Sequence, residues 1–192
     1  MTTLPEHLER FLGPIQGGWS KDAAGNDLPF HVVRCDGGLL GGVTAYATLG
    51  LSRFPLRSPA SGRDIRHELL MIVRSDADPG TVPGLLQQLG LEALGGERPF
   101  LAGEVIGPRG TLFQQGPMAA VYFAPPVYWP DQFGQCSVAG GTAVIAWCIP
   151  LTPAEAMFAS SVGREQFEDL LATQQPDLAS IERAPLRLPP GA

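Results

Sequence analysis

Apolar positions along the chain switch between a period near 3.6 and a period of 2 or unbroken runs, and the switches mark its elements. Leu8, Phe11 and Leu12 fall at i, i+3 and i+4. Thr3 at the N-cap and Glu6 at N3 have capping-box spacing, so a short helix is predicted, stopped by Gly13-Pro14. Gly17 to Pro29 reads as turn-rich. Phe30 to Cys35 and Val43 to Leu51 are rich in β-branched and aromatic residues and predict two strands, joined by the glycine-rich loop Asp36 to Gly42. Ser52 to Asp64, with Arg53, Pro55, Arg57, Pro59, Gly62 and Arg63, reads as an exposed loop.

Glu68 to Val73 (ELLMIV) is nearly continuous apolar sequence. That length suits a central strand covered on both faces. A turn over Asp76 to Gly80 precedes a helix over Val82 to Leu94, whose stripe is Leu85, Leu86, Leu89 and Ala93 and whose end is Gly95-Gly96. Pro99 to Ile106, Ala119 to Ala124 and Ala143 to Ile149 are further strands, and Pro125 to Gln135 (PPVYWPDQFGQ) is a long aromatic loop. Thr152, Pro153 and Glu155 stand at N-cap, N1 and N3, the clearest local signal in the chain. Two helical stretches follow, broken near Gly163; in the second, Phe167, Leu170 and Leu171 form the inner face and Glu165, Glu168 and Asp169 lie largely opposite. From Gln174 the pattern dissolves.

These elements predict one α/β (α+β) domain over residues 1–175, a loop-rich mixed sheet flanked by helices, with a Pro-rich tail over 176–192. The composition agrees with the loops: 24 Gly and 19 Pro among 192 residues are nearly twice the average combined share of about 12%. A formal charge of −6 is the wrong sign for gripping nucleic acid and suits steering toward a basic partner. No signal peptide is visible, and the longest apolar run, Ala143 to Leu151, is far short of the ~20 residues a membrane helix needs. Cys35, Cys136 and Cys148 have no zinc spacing and read as buried thiols of a cytoplasmic protein.

Catalytic patterns are incomplete wherever they begin. Gly50-Leu-Ser-Arg-Phe54 has Phe where G-x-S-x-G requires its second glycine, so Ser52 reads as a strand end. His67-Glu68 opens like H-E-x-x-H, but Met71 occupies the second His position. Trp129-Pro130-Asp131 resembles the acid loop of tyrosine phosphatases, yet no cysteine is followed by a suitably placed Arg, which leaves a structural turn. The open alternatives are a Cys35/His67 or Cys148/His31 dyad and a cation contact at Asp76 and Asp78. No metal ligand set and no cofactor motif is assigned.

Ala47-Thr-Leu-Gly-Leu-Ser52 after a strand, followed by Arg66-His-Glu-Leu-Leu-Met71, resembles the "G-[ML]-S … EL" core of suppressor-of-fused domains. The likeness continues through Leu85 to Gly90, Phe100 to Pro108, Tyr122 to Pro126, Ile149 to Glu155 and the Gly163 to Leu171 helix, covering roughly residues 4 to 173. The small residues around Ala45 and Ala47 and the long loop from Arg53 to Asp64 depart from the pattern. The resemblance implies an α/β domain for protein recognition, with no catalytic residues to carry over. Eukaryotic members bind transcription factors and have a second, C-terminal domain; stand-alone bacterial members, which this chain fits better, look like immunity proteins encoded beside polymorphic toxins. In this fold Glu68 is expected to be a strand-edge carboxylate paired with Arg66 or another Arg.

The expected function is therefore non-enzymatic: a cytoplasmic binding protein that neutralises a partner, most concretely a basic toxin domain. Candidate contact residues are Arg53, Arg57 and Arg63 in the first loop and Tyr128, Trp129 and Phe133 in the second. The competing reading of the aromatics is that they fold back over the sheet. Two other functions stay open: recognition of an extended segment at a sheet edge, and an enzyme with an unrecognised Cys/His site.

Overall fold

From His67 to Val73 every residue is buried. A strand can do that only at the centre of a sheet covered on both sides. The structure, a computed structural model, describes residues 2–77 and 80–189. In chain order the elements are α1 (Leu4–Leu12), β1 (Ile15–Lys21), β2 (Asp27–Asp36), β3 (Val43–Leu49), β4 (Leu56–Arg57), β5 (Asp64–Arg74), α2 (Val82–Gly95), β6 (Val105–Ile106), β7 (Ala120–Ala124), β8 (Gln135–Val138), β9 (Gly141–Leu151), α3 (Pro153–Val162) and α4 (Arg164–Gln174). The sheet runs β1-β2-β3-β5-β9-β7-β6, with β4 paired to β5 and β8 to β9. Every pairing is antiparallel except β5–β9, which sets Arg66 opposite Ala143 and Leu70 opposite Trp147. The fold is the expected mixed α/β domain.

Alternation in β5 divides the core. Leu69, Met71 and Val73 face α2, through Leu86, Leu89 and Ala93, together with Phe30, Phe100 and Phe123. Leu70 and Ile72 face α1, α3, α4 and the aromatic loop. At Gly90 α2 lies so close to the sheet that a Cβ would overlap the Phe30 ring. Both capping boxes form as expected: Thr3 with Glu6 at α1, Thr152 with Glu155 at α3.

Several boundaries differ from the sequence reading. The turn-rich stretch contains β1, whose residues are exposed or half-buried. Main-chain pairing with β2 makes it a strand, and that leaves no apolar alternation to read. The strand expected from Pro99 shrinks to Val105–Ile106, because Phe100 packs from irregular chain against Phe123, ring centroids 4.3 Å apart. β3 stops at Leu49, where Gly50 at φ 103° turns the chain into a 3-10 turn over Leu51–Arg53. The loop after it is only partly exposed, since Ser52, Leu56 and Ser58 are buried.

Among the described residues after Gln175 there is no helix or strand, yet Leu178, Ala179, Ile181, Arg183 and Leu186 are buried against the domain. Asp78, the second of the cation candidates, and the tail's last three residues lie outside the described residues.

Candidate functional site

The two halves of the Gly-Leu-Ser … Glu-Leu pattern meet in space. β3 and β5 pair as far as Ala47 opposite Leu70 and then part. In the wedge between them the Thr48 hydroxyl accepts from Leu69 N–H (2.8 Å) and donates to Glu68 Oε2 (2.6 Å). The remaining capacity of the Glu68 carboxylate accepts from the N–H groups of Gly50 (2.9 Å), Leu51 (3.2 Å) and Ser52 (3.0 Å). A short 3-10 turn has exactly such unsatisfied N–H groups at its start. Glu68 has no exposed surface, and burial pushes its carboxyl above the usual carboxylate range, against the pull of its donors.

Arg66 is not the partner of Glu68. Its Nη1 donates to the carbonyls of Ser52 (2.9 Å) and Arg53 (2.8 Å), and its Nε to that of Gly140 (3.2 Å). The expected ion pair is thus replaced by a division of labour on one short turn. Glu68 takes its N–H groups, and Arg66 takes its C=O groups and ties them to the β8–β9 turn. No strand or helix pattern announces this, because the partners are main-chain atoms.

Beside the turn is a cavity of about 360 Å³ formed by the start of α1, the Leu49–Arg53 corner and Ser137–Ala139. Arg53 lines it, and the exposed side chains of Arg57 and Arg63 project from the same loop. The aromatic candidates lie elsewhere. The aromatic loop folds over the α1 side of the sheet, where Trp129 and Phe133 are core residues, 6% and 0% exposed. Phe133 packs between His7 and Phe11, and His7 Nε2 lies 3.0 Å from its carbonyl. Tyr128 keeps 46% exposure with its ring 4.8 Å from that of Trp147, and burial together with the charge of Asp177 pushes its hydroxyl pKa up. Four of the six candidates are on the surface and two are inside.

The proposed dyads are separated by the sheet. Cys35 packs on the α1 side, whereas the His67 ring lies on the α2 side, 6.2 Å from that of Phe100. Cys148 belongs to the α2 side, and His31 alternates with Val33 and Cys35 toward the other. Burial pushes the thiols up, Cys35 to about 12, so none is a ready thiolate. Among the described residues no group of three His, Cys, Asp or Glu side chains converges to hold a metal.

His67 is 1% exposed and neither ring nitrogen has a hydrogen-bond partner among the described residues. Desolvation lowers its pKa from 6.5 to about 4. The unfolded chain takes up a proton below pH 6.5 that the folded ring refuses until about pH 4. Stability contributed by the neutral ring is therefore complete above pH 6.5 and is lost as pH falls through that window, by about 3 kcal/mol at most. In urea titrations His67→Leu is expected to lose less stability than the parent between pH 7 and pH 4. Equal losses would remove His67 from the acid response.

The family model for "Suppressor of fused protein (SUFU)" matches residues 26–184. Among curated relatives, Immunity protein YqcF of Bacillus subtilis (strain 168) is 22% identical over 143 residues, 74% of this chain and 73% of that protein. A putative suppressor of fused homologue from Neisseria gonorrhoeae FA 1090 superposes with a TM-score of 0.73 at 18% identity, covering 95% of this chain and 94% of the other. A chain of the Sufu-Fu complex superposes with a TM-score of 0.57 at 17% identity, covering 96% and 82%. With the family model matched from the residue before β2 to the buried C-terminal segment, and with the pattern's Gly-Leu-Ser and Glu-Leu halves joined at Glu68, this chain belongs to the suppressor of fused protein family.

Proposed function

We propose that this chain is a cytoplasmic binding protein of the immunity type, which neutralises a cognate toxin by occupying its surface. The observation that carries the reading is the likeness to an immunity protein over most of both chains. The site's chemistry is in keeping with it. The polar groups of the Gly50–Arg53 turn are spent on holding main chain in place, and the thiols are buried and protonated. Such a turn offers a rigid shape to a partner rather than a reacting group. The surface candidates for contact are Arg53, Arg57, Arg63 and Tyr128.

The test is capture of the tagged protein from its native cells, followed by co-expression with any toxin domain recovered. One near-stoichiometric partner whose toxicity this chain relieves is the expected result. A partner that is recovered but remains fully toxic would overturn neutralisation, and failure to recover any partner would count against stable binding.

The open sheet edge favours a second reading, recognition of an extended segment. β1 ends the sheet, and its outer edge has no strand partner among the described residues. Its glycines, Gly17 and Gly18, leave the main chain accessible to an added strand. A short peptide from the captured partner would then bind as well as the folded domain.

A further inference from the structure

We propose that the Arg53–Arg66 loop and the cavity beside it form a docking surface for an acidic, hydrophobically anchored segment of the protein partner, which rests on the reading of the chain as a binding protein. The arginines fall into two groups. Of the eight outside the loop, six meet a carboxylate at short range: Arg34 with Asp36 (2.9 Å), Arg74 with Asp177 (2.7 Å), Arg98 with Glu104 (2.6 Å), Arg109 with Glu92 (2.6 Å), Arg164 with Glu168 (2.9 Å) and Arg183 with Glu155 (2.7 Å).

On the loop the pattern reverses. Arg53, Arg57, Arg63 and Arg66 fall within fourteen positions that include one acidic residue, Asp64, on a chain of net charge −6. Arg66 is committed to carbonyls, which cancel none of its charge. Arg57 meets Asp64 only at 3.6 Å, with both side chains mostly in solvent, a contact of little worth. Arg53 and Arg63 have no ion-pair partner among the described residues. Positive charge without a close carboxylate is thus concentrated on this one loop, whereas Arg10 and Arg187, the other arginines without an ion pair among the described residues, stand singly in α1 and the C-terminal segment.

Arg53 also lies close against the turn. Gly50 has no side chain, and a Cβ there would come within 3.3 Å of the Arg53 Nε and Cζ, so the guanidinium lies against the Gly50 main chain. That position puts it on the wall of the 360 Å³ cavity, where among the described residues it is the one charged lining residue, beside Leu4, Leu49 and Val138. The volume lies at the lower end of the range of about 300–1,000 Å³ typical of small-molecule pockets, room enough for a single side chain. An apolar side chain fits the pocket and a neighbouring carboxylate meets Arg53, which a planar fork of donors binds well. The local sign is opposite to the one the net charge suggests: the partner as a whole can be basic, but the segment seated here is acidic.

The test uses the full chain, isotopically labelled for NMR, and three acetylated, amidated hexapeptides in which Leu alternates with Glu, Gln or Lys. The Glu peptide is expected to shift the amide signals of Leu49–Arg53 and Ser137–Ala139. Its affinity should fall about tenfold in Arg53→Ala and on raising salt from about 0.05 to about 0.5 M. Arg53 and Arg63 side chains make no hydrogen bond among the described residues, so both alanine variants are expected to fold as the parent does, and Arg63→Ala should show a smaller loss. No binding by the Glu peptide, equal binding by Arg53→Ala, or a Lys peptide bound as tightly at the same signals would each overturn the proposal. None of these outcomes touches binding of a native partner through another face, which the capture experiment reads separately.

Discussion

Replacing Glu68 by Ala is expected to cost about 4 kcal/mol or more, enough to unfold a large share of a marginally stable domain. Three main-chain N–H groups and the Thr48 hydroxyl donate to its carboxylate, and all are buried with it. Each donor left unsatisfied costs roughly 1–3 kcal/mol, while the missing side-chain volume adds a cavity. Glu68→Gln separates charge from shape. Its amide supplies one acceptor oxygen and turns an NH2 toward groups that also donate. The expected loss is about 2 kcal/mol, with native spectra retained. Urea midpoints of the two variants check the order. A Gln variant as stable as the parent would mean that the turn does not require an ionised carboxylate.

Arg183→Ala is expected to cost about 3–5 kcal/mol. Glu155 and Arg183 form a bidentate pair, Nη1 to Oε1 at 2.7 Å and Nη2 to Oε2 at 2.8 Å, with side chains 0% and 5% exposed. Burial works to raise the Glu155 carboxyl, and the Arg183 fork with the N–H groups of Leu186 and Thr152 outweighs it, leaving the pKa below the usual 4.5. Without Arg183 the carboxylate stays buried with half its support. The loss should be local in hydrogen exchange, with amides of Leu178 to Leu186 exchanging faster before the sheet does. The pair's contribution is present above pH 4.5 and disappears as pH falls through the lowered native value. The parent and Arg183→Ala should thus converge in acid. Replacing both partners with Met should restore only part of the stability, since the apolar pair avoids the desolvation penalty but leaves the N–H groups of Thr152 and Leu186 without their acceptor.

These two carboxylates show what could be read from the chain and what could not. Glu155 announces itself as N3 of a capping box, because that role depends on local spacing. Its second role, clamping Arg183 from 28 positions away, depends on where a segment without periodicity folds back. Glu68 opens an apolar run that marked a buried strand, but the carboxylate itself was expected at the strand's edge beside an Arg. Its partners were not legible, since all but the Thr48 hydroxyl are N–H groups that every residue but proline has. The same distinction explains the strands. β5 and β9 bury their side chains and display it in sequence, while β1 and β8 are held by main-chain pairing and, apart from Cys136, have exposed or half-exposed positions. In the aromatic loop composition left a contact surface and a fold back over the sheet both open, and Phe133, packed between His7 and Phe11, lies inside.

The lone parallel pairing at the centre of the sheet constrains the order in which the molecule can assemble. β1, β2, β3 and β5 follow one another as antiparallel neighbours and can zip up through short connections. β9 must instead cross more than seventy positions of chain to lie alongside β5, with Arg66 meeting Ala143. Until it arrives, the long edge of β5 and the apolar residues on both its faces are open to any other strand. The nascent chain is therefore most vulnerable to aggregation late in folding, when most of its contacts in sequence are already made and the one distant contact that closes the sheet is still missing.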